Sequence, residues 1–164
     1  MFGLNTRLIF SHQFQNSNFQ DPSNPKFENR ILSELGDPKD EFRWNVDLTY
    51  DRVTFGYEMR YLGKQLTSTF ENFYALPSAC TTATPPICPP LNSDAFEIRE
   101  YPAVFYHDIR MDFAIGENKQ SNFFIGVDNV LDTEPPLGTT ATGAGSAIFN
   151  IRGRSFYSGF KARF

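Results

Sequence analysis

Few residues of this 164-residue chain have the type and spacing that chemistry asks for. Cys80 and Cys88 are separated by seven residues in Cys80-Thr81-Thr82-Ala83-Thr84-Pro85-Pro86-Ile87-Cys88-Pro89-Pro90. Two thiols so close, among paired prolines, favour a disulfide-closed loop tip formed in an oxidising compartment. Closing that loop would stabilise it by about 2–3 kcal/mol through chain entropy. Free thiols are the second reading; a metal site would need further Cys or His ligands, and none is near in sequence. His12 and His107 stand on the apolar side of separate period-two runs, with no supporting carboxylate in the pattern. They read as residues at an interface level rather than as a shared metal site. Asp108 and Asp112 could be paired for acid–base work, but Arg110 stands between them at the same period. An ion-paired wall fits that interleaving better. No nucleophile triad, phosphate loop or metal motif occurs. The expectation is a non-enzyme that carries no cofactor.

The elements behind these residues are strands. Period-two runs occur at roughly 3–14, 40–50, 53–65, 103–115, 122–131 and 154–164. No window repeats apolar residues at helical spacing, and eleven Pro with eleven Gly punctuate the gaps. Aromatic content is 16%, with 18 Phe and 7 Tyr, which suits strands. No apolar run approaches the ~18–20 residues of a membrane helix. Net charge is -4 without a basic block, so nothing points to nucleic acid.

One side of these runs carries Leu4, Thr6, Leu8, Phe10, His12 and Phe14, then Phe42, Trp44, Val46, Leu48 and Tyr50. It continues through Val53, Phe55, Tyr57, Met59, Tyr61 and Gly63 to Phe105, His107, Ile109, Met111, Phe113 and Ile115. Phe123, Ile125, Val127, Asn129 and Leu131 follow, and Phe156, Ser158, Phe160, Ala162 and Phe164 complete it. None of these 33 positions is charged, although a chain with 21% charged residues would place about seven there by chance. The other side holds thirteen charges, among them Arg43, Asp47, Glu58, Arg60, Asp108, Arg110, Asp112, Asp128 and Lys161.

Alternation alone also suits a soluble β-sandwich, apolar inward and polar outward. The connections separate the two readings. Tyr50-Asp51-Arg52-Val53 is a tight turn and Gly116–Ser121 about six residues, whereas 15–38, 66–101 and 132–151 run to about 24, 36 and 20 residues. Structureless loops beyond ~12–15 residues are uncommon in compact domains. Here they alternate strictly with short ones, so every long loop falls at one end of the sheet. Short periplasmic turns with long extracellular loops are the asymmetry of outer-membrane barrels. A Lys or Arg at the bilayer midplane of the lipid face costs ~2–4 kcal/mol, which accounts for a charge-free stripe.

Two stretches carry a family resemblance. Asn122-Phe123-Phe124-Ile125-Gly126-Val127-Asp128-Asn129-Val130-Leu131-Asp132-Thr133-Glu134-Pro135-Pro136 resembles the penultimate strand of TonB-dependent outer-membrane receptors. Val127, Asn129, Val130, Leu131, Asp132 and Pro135 match its pattern. The ending Gly153-Arg154-Ser155-Phe156-Tyr157-Ser158-Gly159-Phe160-Lys161-Ala162-Arg163-Phe164 is similar to the family's last strand and terminal aromatic, and Arg60-Tyr61-Leu62-Gly63-Lys64 to a strand end entering a long loop. The resemblance implies an all-β fold in which residues 1–164 are the C-terminal six antiparallel strands of a large transmembrane β-barrel. It implies a Gram-negative outer membrane, lipid around the wall, and barrel-assembly machinery acting on Phe156, Phe160 and Phe164.

The same resemblance implies TonB-energised uptake of a scarce small molecule or metal chelate: a ferric siderophore, a cobalamin or a carbohydrate. The TonB system would act through a plug domain, which with the energy-coupling motif and signal peptide is not found in this sequence. Met1–Arg7 lacks a basic segment followed by an apolar one, so Met1 is expected not to be a natural start. Phe70, Phe73 and Tyr74, just beyond the third run, are the expected ligand contacts of the outer loops. Six strands are too few to close, since eight only just enclose a packed interior. The alternatives are a small oligomeric outer-membrane pore and a soluble β-sandwich binding module.

Overall fold

The structure, a computed structural model, describes residues 2–19, 23, 28–69, 99–117, 119–136 and 148–162. Ten strands follow in order: β1 (Phe2–His12), β2 (Ser17–Asn18), β3 (Asn29–Arg30), β4 (Asp40–Tyr50), β5 (Val53–Leu62), β6 (Gln65–Leu66), β7 (Glu100–Tyr101), β8 (Val104–Ile115), β9 (Ser121–Asp128) and β10 (Ser155–Ala162). The six long strands are the six period-two runs. They form one antiparallel sheet in the order β1-β4-β5-β8-β9-β10, each beside its predecessor in the meander. The short pairs β2-β3 and β6-β7 decorate the first two long connections. Among the described residues the sheet is open, with β1 and β10 at its edges.

Several strands stop earlier than the alternation predicts, for local reasons. The 53–65 run ends at Leu62 because Gly63 donates its N–H to the Asp40 carbonyl at 2.8 Å. A Cβ on Gly63 would lie 2.6 Å from that oxygen, so only glycine allows the approach. Past this point the chain pairs again, with Gln65 opposite Tyr101. The 122–131 run ends at Asp128, because Asn129 adopts φ +52°, a left-handed conformation that Asn tolerates and a strand does not.

The two short connections lie together at one end. Asp51, at φ +50°, makes the two-residue turn between Tyr50 and Val53. Arg52 donates to the Gly116 carbonyl at 2.5 Å, and Lys119 to the Asp51 carbonyl at 2.8 Å, so the two turns are laced to each other. At the opposite end Asn16 receives the N–H groups of Ile31 and Leu32, both at 3.0 Å, and holds the compact turn 31–37. Hydrogen bonds from Ser17 and Gln15 keep the nearby Glu28 carboxyl below its ordinary range.

The buried cluster is small. Leu62, Val104, Tyr106 and Phe149 form it, with Leu35 and Ile148 packed against it. It lies on the charged face, at the end that carries the long connections. The sequence reading singled out that face for its charges, and here part of it holds an apolar cluster. Leu62 and Val104 are opposite each other in the β5-β8 ladder, and Phe149 folds back onto them.

Candidate functional site

The sheet register converts six separate stripes into one surface. Phe2, Tyr50, Val53, Phe113, Phe123 and Phe160 are cross-strand neighbours in a single row. Eight residues along each strand, Phe10, Phe42, Tyr61 and Phe105 form a second row. Between them lie Leu4-Leu48-Phe55-Met111-Ile125-Ser158, Thr6-Val46-Tyr57-Ile109-Val127-Phe156 and Leu8-Trp44-Met59-His107. The rows at the two ends are almost wholly aromatic, whereas those between mix aliphatic side chains with Trp44, Phe55, Tyr57 and Phe156. At ~3.4 Å per residue the two end rows are ~27 Å apart along the strands. Rings meet within them: Phe42 stacks on Tyr61 at 5.0 Å, Tyr61 meets Phe105 at 4.8 Å, and Phe113 stacks on Phe123 at 6.3 Å.

Of the nineteen large hydrophobic side chains exposed among the described residues, fourteen belong to this face. Several of its polar groups have partners within the sheet. Trp44 Nε1 donates to Thr6 Oγ1 at 2.9 Å, and Thr6 Oγ1 donates to the Asn45 carbonyl at 3.2 Å. Tyr57 Oη meets His107 Nδ1 at 2.7 Å. A carboxylate does reach this face at its long-loop end: Asp40 is opposite His12, and His12 Nδ1 meets Asp40 Oδ1 at 2.5 Å. The sequence reading found no carboxylate beside either histidine, yet His12 has Asp40. His12 also packs edge-on against Phe14, ring centres 4.5 Å apart. Three strands of the sheet separate β1 from β9 and two separate it from β8, so His12 and His107 share no site. The described residues hold no cluster of three or more potential metal ligands.

The opposite face is built from charge, aromatic rings and glycine. Arg110 is opposite Gly56 on one side and Gly126 on the other. Its guanidinium makes two 2.7 Å hydrogen bonds to Asp112 and sits 4.1 Å from the centre of the Phe124 ring. Asp112 is thus ion-paired with Arg110 in bidentate geometry, while Asp108 accepts the Asn129 N–H instead. Tyr157 lies over Gly126, where a Cβ would come within 2.3 Å of its ring, and Phe124 covers Gly159 in the same way. Each glycine makes room for a ring from the neighbouring strand. Glu58 is opposite Asp108, with Arg43 3.4 Å from Glu58 and Asn45 donating to it at 2.5 Å.

The residues singled out from the sequence divide three ways. Val127 stands on the apolar face opposite Phe156, and Phe160 opposite Phe123, as the alternation predicts. Asn129 does not: it is fully buried, and its side chain closes a turn by accepting from the Thr133 N–H at 2.8 Å and donating to the Thr133 carbonyl at 2.9 Å. Its own N–H goes to Asp108 Oδ1 at 2.6 Å. Asp132, at φ +56°, accepts the Arg154 N–H at 2.8 Å and pins the start of β10; Leu131 is exposed beyond the strand end. Cys80, Cys88, Phe70, Phe73, Tyr74 and Phe164 lie outside the described residues.

Sequence reasoning missed Tyr106 and Phe149. The available signal was a run of uncharged positions on the charged side, Leu62, Val104 and Tyr106, together with a lone Ile148-Phe149 after a stretch of small residues. Comparison with family models, with curated proteins and with solved structures finds no match.

Proposed function

We propose that this sheet is part of the wall of an outer-membrane β-barrel, of the type used by TonB-dependent receptors to take up a scarce small molecule or metal chelate. The supporting observation is the register: it aligns six stripes into one face that holds no Asp, Glu, Lys or Arg from the Phe2 row to the Phe10 row, with aromatic residues dense in both of those rows. Strand tilt of ~35–45° reduces their ~27 Å separation to about 19–22 Å, comparable with the ~25 Å apolar band of such barrels. The pairing of Trp44 with Thr6 and Tyr57 with His107 fits the same environment, since lipid offers no hydrogen-bond partner.

In this reading the wall meets lipid, Arg110 and its neighbours line the interior, and the three long connections face outward. Energy reaches the barrel from the TonB system through a plug domain. The strand ending in Phe164 is read by the barrel-assembly machinery, so deleting Phe164 from the complete protein lowers its outer-membrane level.

A second reading draws on the strand count. Six strands leave β1 and β10 antiparallel, so the β10 edge of one copy could pair with β1 of the next and build an oligomeric pore. The first experiment is an immunoblot of fractionated membranes with an antibody to residues 75–93. Signal in the outer membrane after alkaline extraction supports the wall reading, and signal confined to the soluble fraction overturns it. A mass several times 18.7 kDa points to the large single-chain barrel, and SDS-resistant multiples of 18.7 kDa to the pore.

A further inference from the structure

The small buried cluster joins parts of the chain that the topology keeps apart. Residues 148–150, from the third long connection, cross the charged face over β8 and reach β5. Arg60 Nη2 donates to the Ile148 carbonyl at 3.3 Å, and the Asn150 N–H donates to Tyr106 Oη at 3.1 Å. Between these two anchors Phe149, 3% exposed, is packed among Leu62, Val104 and Tyr106. The first connection arrives from the other side: Leu35 packs on the same cluster, and Ile148 Cδ1 lies 3.6 Å from where a Cβ on Gly36 would be. The second connection is tied in by hydrogen bonds, with Leu66 N–H donating to the Ser33 carbonyl at 2.6 Å and Gly36 N–H to the Gln65 side-chain Oε1 at 2.7 Å.

We propose that residues 148–150 are a strap that bolts the bases of all three long connections into one collar over the charged face. A ligand gripped by one connection is then felt by the other two, because all three share a core that loosens or tightens as a unit. Coupling between sites needs an element whose state every site biases; this core takes Leu35 from the first connection and Ile148 from the third, and Phe149 meets Tyr101 of the second edge-on, ring centres 6.5 Å apart. The strap rests on packing and hydrogen bonds alone and stands whether or not the sheet lies in a membrane.

Hydrogen–deuterium exchange on the purified protein tests it. In Phe149→Ala, amides of 31–37 and 65–66 are expected to exchange about tenfold faster or more, together with 148–151, because one cooperative unit opens together. The amides of 44–48 and 55–59 keep their protection. Acceleration confined to 148–151 overturns the proposal. Should Phe149→Ala disturb the whole sheet, Tyr106→Phe decides: it removes only the acceptor of the Asn150 N–H and leaves the ring. A smaller acceleration in all three segments upholds the collar, and a change in 148–151 alone refutes it.

Discussion

On the apolar face two polar pairs answer each other: Thr6 takes the Trp44 N–H and Tyr57 meets His107. On the charged face, one side chain further along each strand, Arg43 and Asp112 form their contacts while remaining partly open to solvent. The same backbone therefore presents an apolar surface and a surface that still uses water. A soluble sandwich would bury the first surface under a second layer, and among the described residues its only substantial packing is on the other side. If the apolar face meets lipid, as proposed, substitutions on the two faces should differ in kind as well as in size.

The largest effect belongs to the middle of the apolar face. Ile109→Arg, in the central row, should cost about 2–4 kcal/mol for folding into lipid vesicles and lower the folded fraction accordingly. If instead the variant refolds like the parent, the lipid-facing reading fails. The mirror experiment is Arg110→Met, one residue away on the other face, which should leave membrane insertion unchanged.

Asn129→Ala comes next. It removes two side-chain hydrogen bonds from a fully buried residue and forces alanine into φ +52°, for a loss of about 2–4 kcal/mol in urea unfolding. Asn129→Gly relieves the backbone but not the missing bonds, and should recover about 1 kcal/mol of that loss. Equal losses in the two variants would mean that the left-handed conformation contributes nothing.

Gly126→Ala sharpens the comparison on the charged face. The new methyl group collides with the Tyr157 ring, so the variant should lose about 1–3 kcal/mol. Tyr157→Ala in the same molecule removes the collision, and a thermodynamic cycle should show strong coupling. Additive losses would mean that the ring does not lie over the glycine. The smallest effect is expected for Asp112→Asn. Its bond to Arg110 is partly exposed, which limits the change in urea unfolding to about 1 kcal/mol or less.

The strands and their facing were legible because alternation is a local property: each residue's side follows from its neighbour's, and the register only had to join the stripes. The strand ends were less so. Leu62 and Asp128 are last residues because of a close approach to Asp40 and a turn closed on Thr133, events between positions that no periodicity links. Asn129 illustrates the difference. Its place in a recurring pattern was visible, but its work, capping a turn while tying β9 to Asp108, depends on a neighbour twenty-one residues away. The collar was hidden for a further reason: Phe149 packs on strands it does not follow or precede, so only the folded chain brings them together.

The alternation of short and long connections also prescribes an order of events in folding. Closing a loop costs more as it lengthens, by ~0.6 kcal/mol for each doubling. The two-residue link between β4 and β5 and the five-residue link between β8 and β9 are therefore far cheaper to close than the 41 residues from Gly63 to Ala103. Two hairpins nucleate independently, within microseconds if they behave as isolated hairpins do. They must then search for each other across the middle connection. By this rule the meeting of β5 and β8, the two strands that hold Phe149, carries the largest closure cost of the five pairings in the sheet.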